Sequence, residues 1–215
     1  MNKTTIAFFA LLALANASCR WNGIVGNGHI VTHTRPVADF TEIDADGGFQ
    51  IDWRRGPPSL TITTDENLLS HITTETVDHR LRLHSHGNIW SHHGIKVAIA
   101  SPTRAGAQLT GAARLTASQL SGASFAVEST GAAKIQLDGT IDDLVTDMTG
   151  ASKLDADSLR TKTATISSTG ASHADVNVSE SLRVSITGAG KVVYAGNPPK
   201  VEKHVSGAGS IRQKD

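Results

Sequence analysis

One short phrase recurs six times along this chain at nearly constant spacing. It reads Thr110-Gly111-Ala112, Thr130-Gly131-Ala132, Thr149-Gly150-Ala151, Thr169-Gly170-Ala171, Thr187-Gly188-Ala189 and Ser206-Gly207-Ala208, and successive glycines lie 20, 19, 20, 18 and 19 residues apart. A fixed period near 20 residues marks a solenoid in which each repeat forms one turn and buries its apolar face only by stacking on its neighbours. That single feature constrains the fold more tightly than any other property of the sequence.

Aligning the repeats on the glycine exposes their internal pattern. Four residues after it stand Leu115, Ile135, Leu154, Ala174, Val192 and Ile211, and six after it Ala117, Leu137, Ala156, Val176 and Tyr194. The odd offsets are mostly polar: three after stand Arg114, Lys134, Lys153, His173, Lys191 and Ser210, and five after Thr116, Gln136, Asp155, Asp175 and Val193. Alternation with period two is a strand with one face inward. Before the glycine the pattern continues, with Phe125, Leu144, Ala164 and Leu182 at minus six and Val127, Thr146, Ile166 and Val184 at minus four. Each repeat therefore holds at least two strands, with Thr-Gly-Ala as the corner where glycine tolerates positive φ or close backbone approach. The Thr, Ser, Val and Gly content disfavours a helical repeat. The predicted fold is all-β, a single-stranded right-handed parallel β-helix with about 19–20 residues per turn, the hand being the default for parallel crossovers.

Regular repeats run over 109–211. Residues 35–100 read as an irregular β-rich part: Phe49, Ile51 and Trp53 alternate with polar residues until Gly56-Pro57-Pro58, and Leu60, Ile62, Leu81, Leu83, Val97 and Ile99 alternate likewise. Asp65 to Ile72 fits one short helical turn. Whether this part stacks on the same axis is open at this level. Aromatic residues make up only 4% of the chain, which suits narrow stacked turns better than a thick layered core. Twenty Lys and Arg balance twenty Asp and Glu, so no net field marks a binder of nucleic acid or anionic membranes.

The first 19 residues read as a signal peptide, with Lys3 ahead of the apolar run Ile6 to Leu14, too short to span a bilayer. Two exits compete. Ala15-Asn16-Ala17 is an A-x-A cleavage site giving a soluble protein, whereas Ala17-Ser18-Cys19 resembles a lipoprotein box that would leave Cys19 lipidated, with Asn16 where such boxes usually carry Leu. Either exit places the protein outside the cytoplasm: periplasm or extracellular space, or the outer membrane if Cys19 is lipidated. Cys19 is the sole cysteine, so no intramolecular disulfide supports the fold. No transmembrane segment follows.

The recurring [Thr/Ser]-Gly-Ala-[Ser/Gly/Ala]-x-[aliphatic] phrase is joined by the lead-in Val37-Ala38-Asp39-Phe40-Thr41-Glu42-Ile43, by Phe49-Gln50-Ile51 with Gly56, and by Asp65-Glu66-Asn67-Leu68-Leu69. In these motifs residues 35–211 resemble a bacterial domain of unknown function, the head GIN domain of auto-transporter adhesins. The resemblance implies a right-handed parallel β-helix in or outside the cell envelope, and it carries over no catalytic residue and no cofactor.

Three groups of side chains invite chemistry. Arg114, Lys134, Lys153, His173 and Lys191 should stack on one outer face, one per turn, as a basic ladder able to grip an acidic polysaccharide. The plainer account is a solvated face, with Asp155 and Asp175 beside it and Asp138 and Asp157 just beyond, as exposed pairs contribute little each. Asp138, Asp142, Asp143, Asp147, Asp155 and Asp157 form an acidic group of the kind that serves β-helix hydrolases and lyases as paired acid and base or as Ca²⁺ ligands. No insertion long enough to wall a groove is evident, however, so an enzyme is not expected. His84, His86, His92 and His93 share one polar segment that could hold Zn²⁺ or Cu²⁺, with an exposed loop as the simpler reading. No metal or cofactor is therefore assigned. No nucleophile elbow, Walker A or dinucleotide fingerprint occurs.

The expectation is a non-enzymatic exported envelope or surface module that binds a polysaccharide or an envelope protein in the manner of an adhesin. A passive structural lipoprotein and a carbohydrate-active β-helix enzyme remain as alternatives, and homo-oligomers through the solenoid ends or faces remain open.

Overall fold

Alternating apolar residues and stacked glycine corners produce a β-solenoid of about five turns. The computed structural model describes residues 23–214, so the signal segment and Cys19 lie outside the described residues. Two short strands, β1 (Ile24–Val25) and β2 (Ile30–Arg35), precede β3 (Glu42–Asp46) and β4 (Phe49–Arg55). Then come β5 (Ser59–Asp65), a 3₁₀ turn (Glu66–His71), β6 (Ile72–Val77), β7 (Arg80–Ser85), β8 (Ile89–Trp90) and β9 (Ile95–Ser101). The regular part holds β10 (Gly106–Gly111), β11 (Arg114–Gly131), β12 (Lys134–Gly150), β13 (Lys153–Gly170), β14 (His173–Gly188), β15 (Lys191–Ala195), β16 (Lys200–Gly207) and β17 (Ser210–Gln213).

In the regular part every strand pairs in parallel with its equivalent one turn on, and the glycines fall in register: Gly111 with Gly131, Gly131 with Gly150, Gly150 with Gly170, Gly170 with Gly188 and Gly188 with Gly207. The strands β11 to β14 each run from one glycine corner to the next. They turn midway at register shifts, such as that between Ala117 and Leu120, so the two strands expected per repeat are continuous through an irregular second corner.

The corner explains its own sequence. Gly150 has φ +110°, and a Cβ there would lie 2.4 Å from the carbonyl oxygen of Gly131. That same oxygen accepts the Ala151 amide at 2.8 Å. Only glycine lets successive corners approach closely enough for the axial hydrogen bonds to run unbroken.

Residues 35–100 stack on the same axis, out of chain order. β3 pairs in parallel with β10 on one side and β7 on the other, while β4 pairs with β11 and β9. The turn built from β7 and β9 is thus the outermost, and the earlier β3–β4 turn is sandwiched inside it. Antiparallel strands cover the outermost turn: β6 on β7, β5 on β9, and β2 on β5. Below them an aromatic group fills the wider end of the core, with Trp53 fully buried and its ring centroid 6.0 Å from those of both Phe40 and Phe125. Its indole N–H donates to Ser101 Oγ at 2.9 Å. The buried Arg104 guanidinium donates to the carbonyls of Trp53, Ser118 and Gln119, which satisfies three acceptors that the bend would otherwise strand.

At the opposite end the inward positions change character. Lys203 aligns with buried Val184, and Gln213 with buried Tyr194. The Lys203 ammonium lies over the Tyr194 ring, 5.1 Å from its centroid.

Candidate functional site

Because each strand repeats its alternation in register, side chains at equal offsets from the glycine form axial rows. Arg114, Lys134, Lys153, His173 and Lys191 are direct lateral neighbours in that order, on adjacent parallel strands spaced about 4.8 Å apart. Arg114, Lys134 and Lys153 are exposed, while His173 and Lys191 are half-buried. Beyond Arg114 the row continues through Gln50 to exposed Lys96. Lys96 lies outside the regular repeats, so the glycine alignment does not reach it; the alternation Ile95-Lys96-Val97 is the one sequence signal of its outward direction.

The adjacent row reads Asp52, Thr116, Gln136, Asp155, Asp175 and Val193. Its acids contact the ladder at one point: His173 Nε2 lies 2.9 Å from Asp175 Oδ2. Among the described residues, Arg114, Lys134, Lys153 and Lys191 form no ion pair. Arg114, Lys134, Lys153 and Asp155 help line a shallow depression of about 200 Å³ on this face.

The other acidic residues are dispersed rather than paired across a cleft. Asp138 accepts the Gln119 amide at 2.7 Å. Asp142 pairs with Lys162 at 2.8 Å and Asp157 with Lys214 at 2.7 Å, and Asp143 accepts from the Thr163 hydroxyl. Asp147 lies on the face before the corner, beside Glu128. A general acid needs a carboxyl whose pKa is raised. Among the described residues the two carboxyls clearly displaced, Asp65 and Glu202, both move downward: the Ser91 hydroxyl is the main cause at Asp65, and Lys200 followed by Arg183 at Glu202.

The histidine segment separates. His84 Nδ1 lies 3.1 Å from Asp46 Oδ2 and the His84 ring meets that of His86 edge-on at 4.6 Å, while His86 Nε2 lies 3.3 Å from Thr73 Oγ1. His92 and His93 are exposed on the loop after β8. Among the described residues, no three His, Cys, Asp or Glu side chains converge as a metal site.

The family model described as "Putative auto-transporter adhesin, head GIN domain" matches residues 39–198. The chain belongs to this family. The GIN domain shares its fold with several solved structures. A putative adhesin from Bacteroides fragilis is 22% identical with a TM-score of 0.72, over 89% of this chain and all of that one. A putative lipid binding protein from Parabacteroides distasonis is 18% identical with a TM-score of 0.54, over 90% of this chain and all of that one. A putative adhesin from Parabacteroides merdae is 18% identical with a TM-score of 0.51, over 90% of this chain and 99% of that one. No protein of curated function matches. Neither the family nor these neighbours bear an enzyme's name, and the adhesin-like family points to a surface or exported protein. No helix among the described residues is long and apolar enough to cross a membrane.

One feature of the GIN domain escapes the sequence pattern. In the outermost turn the glycine corner is replaced by the loop 86–94, between β7 and β9. This insertion does wall a depression, of about 450 Å³, against Gly47, Gly48, Gly111 and Ala112. The expectation that no insertion walls a groove is therefore corrected. In sequence the segment is only a polar, histidine-rich loop, and its effect depends on which corners stack beneath it.

Proposed function

We propose that this GIN domain is a non-enzymatic surface module that binds an anionic polysaccharide lengthwise along its basic ladder, in the manner of an adhesin. The observation that carries this reading is the in-register row of Arg114, Lys134, Lys153 and Lys191, whose cationic groups form no ion pair among the described residues. Like charges repeated at about 4.8 Å repel one another, so a row of them left unpaired is a cost that a polyanion would relieve. A rigid sheet also fixes the spacing of the cations in advance, so less side-chain freedom is lost on binding than on a flexible loop. An acidic polymer with a carboxylate or sulfate at each repeat matches this geometry. The dispersed carboxylates support a binding module over a hydrolase.

The test is binding of uronate-rich and sulfated polysaccharides to the purified protein. Lys134→Glu combined with Lys153→Glu is expected to weaken binding at least about tenfold, since each reversal turns an attraction into a repulsion. Affinity should also fall as salt rises past about 0.1 M, where the Debye length is near 10 Å. Binding that ignores both the reversal and the salt would remove this reading.

A further inference from the structure

We propose that the middle rungs of the basic ladder select a uronate residue, with one carboxylate and free ring hydroxyls, over a densely sulfated sugar. The inference rests on the ladder being a polyanion site, and it takes the identity of the sugar from the row beside the cations. That row changes character along the axis. Two residues beyond Arg114 and Lys134 on their strands stand Thr116 and Gln136, which are themselves lateral neighbours. On either side of this neutral pair the row is acidic, with Asp52 next to Thr116, and Asp155 and then Asp175 beyond Gln136. Asp52 is held by Arg54 at 2.6 Å and Asp175 by His173 at 2.9 Å. Among the described residues the Thr116 hydroxyl, the Gln136 side-chain amide and the Asp155 carboxylate make no hydrogen bond or ion pair. The depression of about 200 Å³ spans these same rungs, lined by Arg114, Lys134 and Lys153 from the cationic row and by Thr116, Gln136 and Asp155 from its neighbour.

The two rows together decide what fits. Two residues along a strand span about 6.6 Å and adjacent strands lie about 4.8 Å apart, so the depression is a small grid with cations along one edge and hydrogen-bonding groups along the other. Its volume is below the roughly 300–1,000 Å³ of pockets that enclose a drug-sized ligand, so it takes one sugar of a chain rather than an oligomer. A pyranuronate carries its carboxylate at one edge of the ring and vicinal hydroxyls at the opposite edge. With the carboxylate on the planar fork of Arg114 or on the Lys134 ammonium, the hydroxyls face the second row. There Gln136 Oε1, Thr116 Oγ1 and the Asp155 carboxylate accept O–H donors. A sulfate ester has no proton to donate, so these acceptors gain nothing from it, and Asp155 repels it outright. Discrimination needs such a repulsive element as well as an attractive one. Asp155 supplies the first and Gln136 with Thr116 the second.

The experiment measures, at one fixed salt concentration, the affinity of the purified protein for three polymers. These are polygalacturonate, the same polymer O-acetylated on its ring hydroxyls, and dextran sulfate. Acetylation keeps every carboxylate and removes the hydroxyl donors, so the parent protein should bind the acetylated form about fivefold more weakly, the worth of one or two hydrogen bonds. Dextran sulfate should bind more weakly than polygalacturonate despite its higher charge. Gln136→Ala with Thr116→Val should bring the two galacturonates to within about twofold of each other. Asp155→Asn should narrow the preference for polygalacturonate over dextran sulfate by about threefold or more. Glu128→Gln removes the same charge from the face before the corner and should leave that ratio unchanged. Each ratio is taken on one protein sample, so a loss of folded material cancels. The selectivity is overturned if the parent binds both galacturonates alike, if it binds dextran sulfate as tightly as polygalacturonate, or if Asp155→Asn moves the ratio no more than Glu128→Gln does. If none of the three polymers binds, or if Lys134→Glu with Lys153→Glu changes nothing, the polyanion reading itself falls and the selectivity falls with it.

Discussion

A methyl group on Gly122 would touch nothing within 4 Å, whereas one on Gly150 would strike the Gly131 carbonyl at 2.4 Å, although both residues hold positive φ. Alanine at Gly122 therefore incurs backbone strain alone, on the order of 1–3 kcal/mol. Alanine at Gly150 adds the loss of an axial hydrogen bond and a forced separation of two turns, worth about 1 kcal/mol or more beyond the strain. Urea unfolding of Gly122→Ala and Gly150→Ala should rank them in that order, and equal losses would contradict the close-approach account. The glycine period is plain in the sequence, as are the inward columns and the basic row, because each depends on local spacing alone. What a given glycine touches is not. Gly111 and Gly150 occupy identical phrases, yet a Cβ on Gly111 meets its nearest atom, Gly47 O, only at 3.5 Å. That difference arises from a neighbour far away in the chain.

The elements around the outermost turn depend on such distant pairing throughout. Strand existence in residues 35–100 follows from alternation, and the helical turn expected from Asp65 to Ile72 is the 3₁₀ turn Glu66–His71. The insertion of β3 and β4 between β7–β9 and the regular repeats is not legible, since a parallel partner is chosen by register over loops of any length. Lys96 and the loop depression stay hidden for the same reason. The segment Gly26 to Arg35 closes over this turn by clasping Asp65, which is fully buried and accepts the Gly28 amide at 2.7 Å as well as the Ser91 hydroxyl. These bonds, Ser91's first, hold the carboxyl below its ordinary value against the opposing effect of burial. A depressed carboxyl stabilises the folded state above the unfolded pKa, about 3.9, and that contribution fades as pH falls through the lower folded value. Hydrogen exchange at the Gly28 amide should stay slow down to about pH 4 and quicken as the pH falls further, after correction for intrinsic rates. Asp65→Asn should give fast exchange at neutral pH. Unchanged Gly28 protection across the acid range would show that the clasp does not rest on this carboxylate.

At the scale of the whole molecule, the two ends of the solenoid are treated differently. One is covered by antiparallel strands, and the other carries Lys203 and Gln213 at positions that would be apolar if another turn followed. An inward-pointing charge on an edge strand opposes pairing with a second edge. The parent protein should therefore sediment as a monomer, whereas Lys203→Val with Gln213→Leu should produce concentration-dependent association; a double variant that sediments like its parent would refute this role. Neither device refers to how many turns lie between them. Corner and columns recur with each Thr/Ser-Gly-Ala phrase, so in-frame duplication or deletion of a block of 18 to 20 residues is expected to leave both ends undisturbed. Length is thereby decoupled from stability at the ends. If the ladder binds as proposed, the molecule is a ruler whose graduations are cations, and its reach along a polymer would be reset by gene rearrangement alone, one notch at a time.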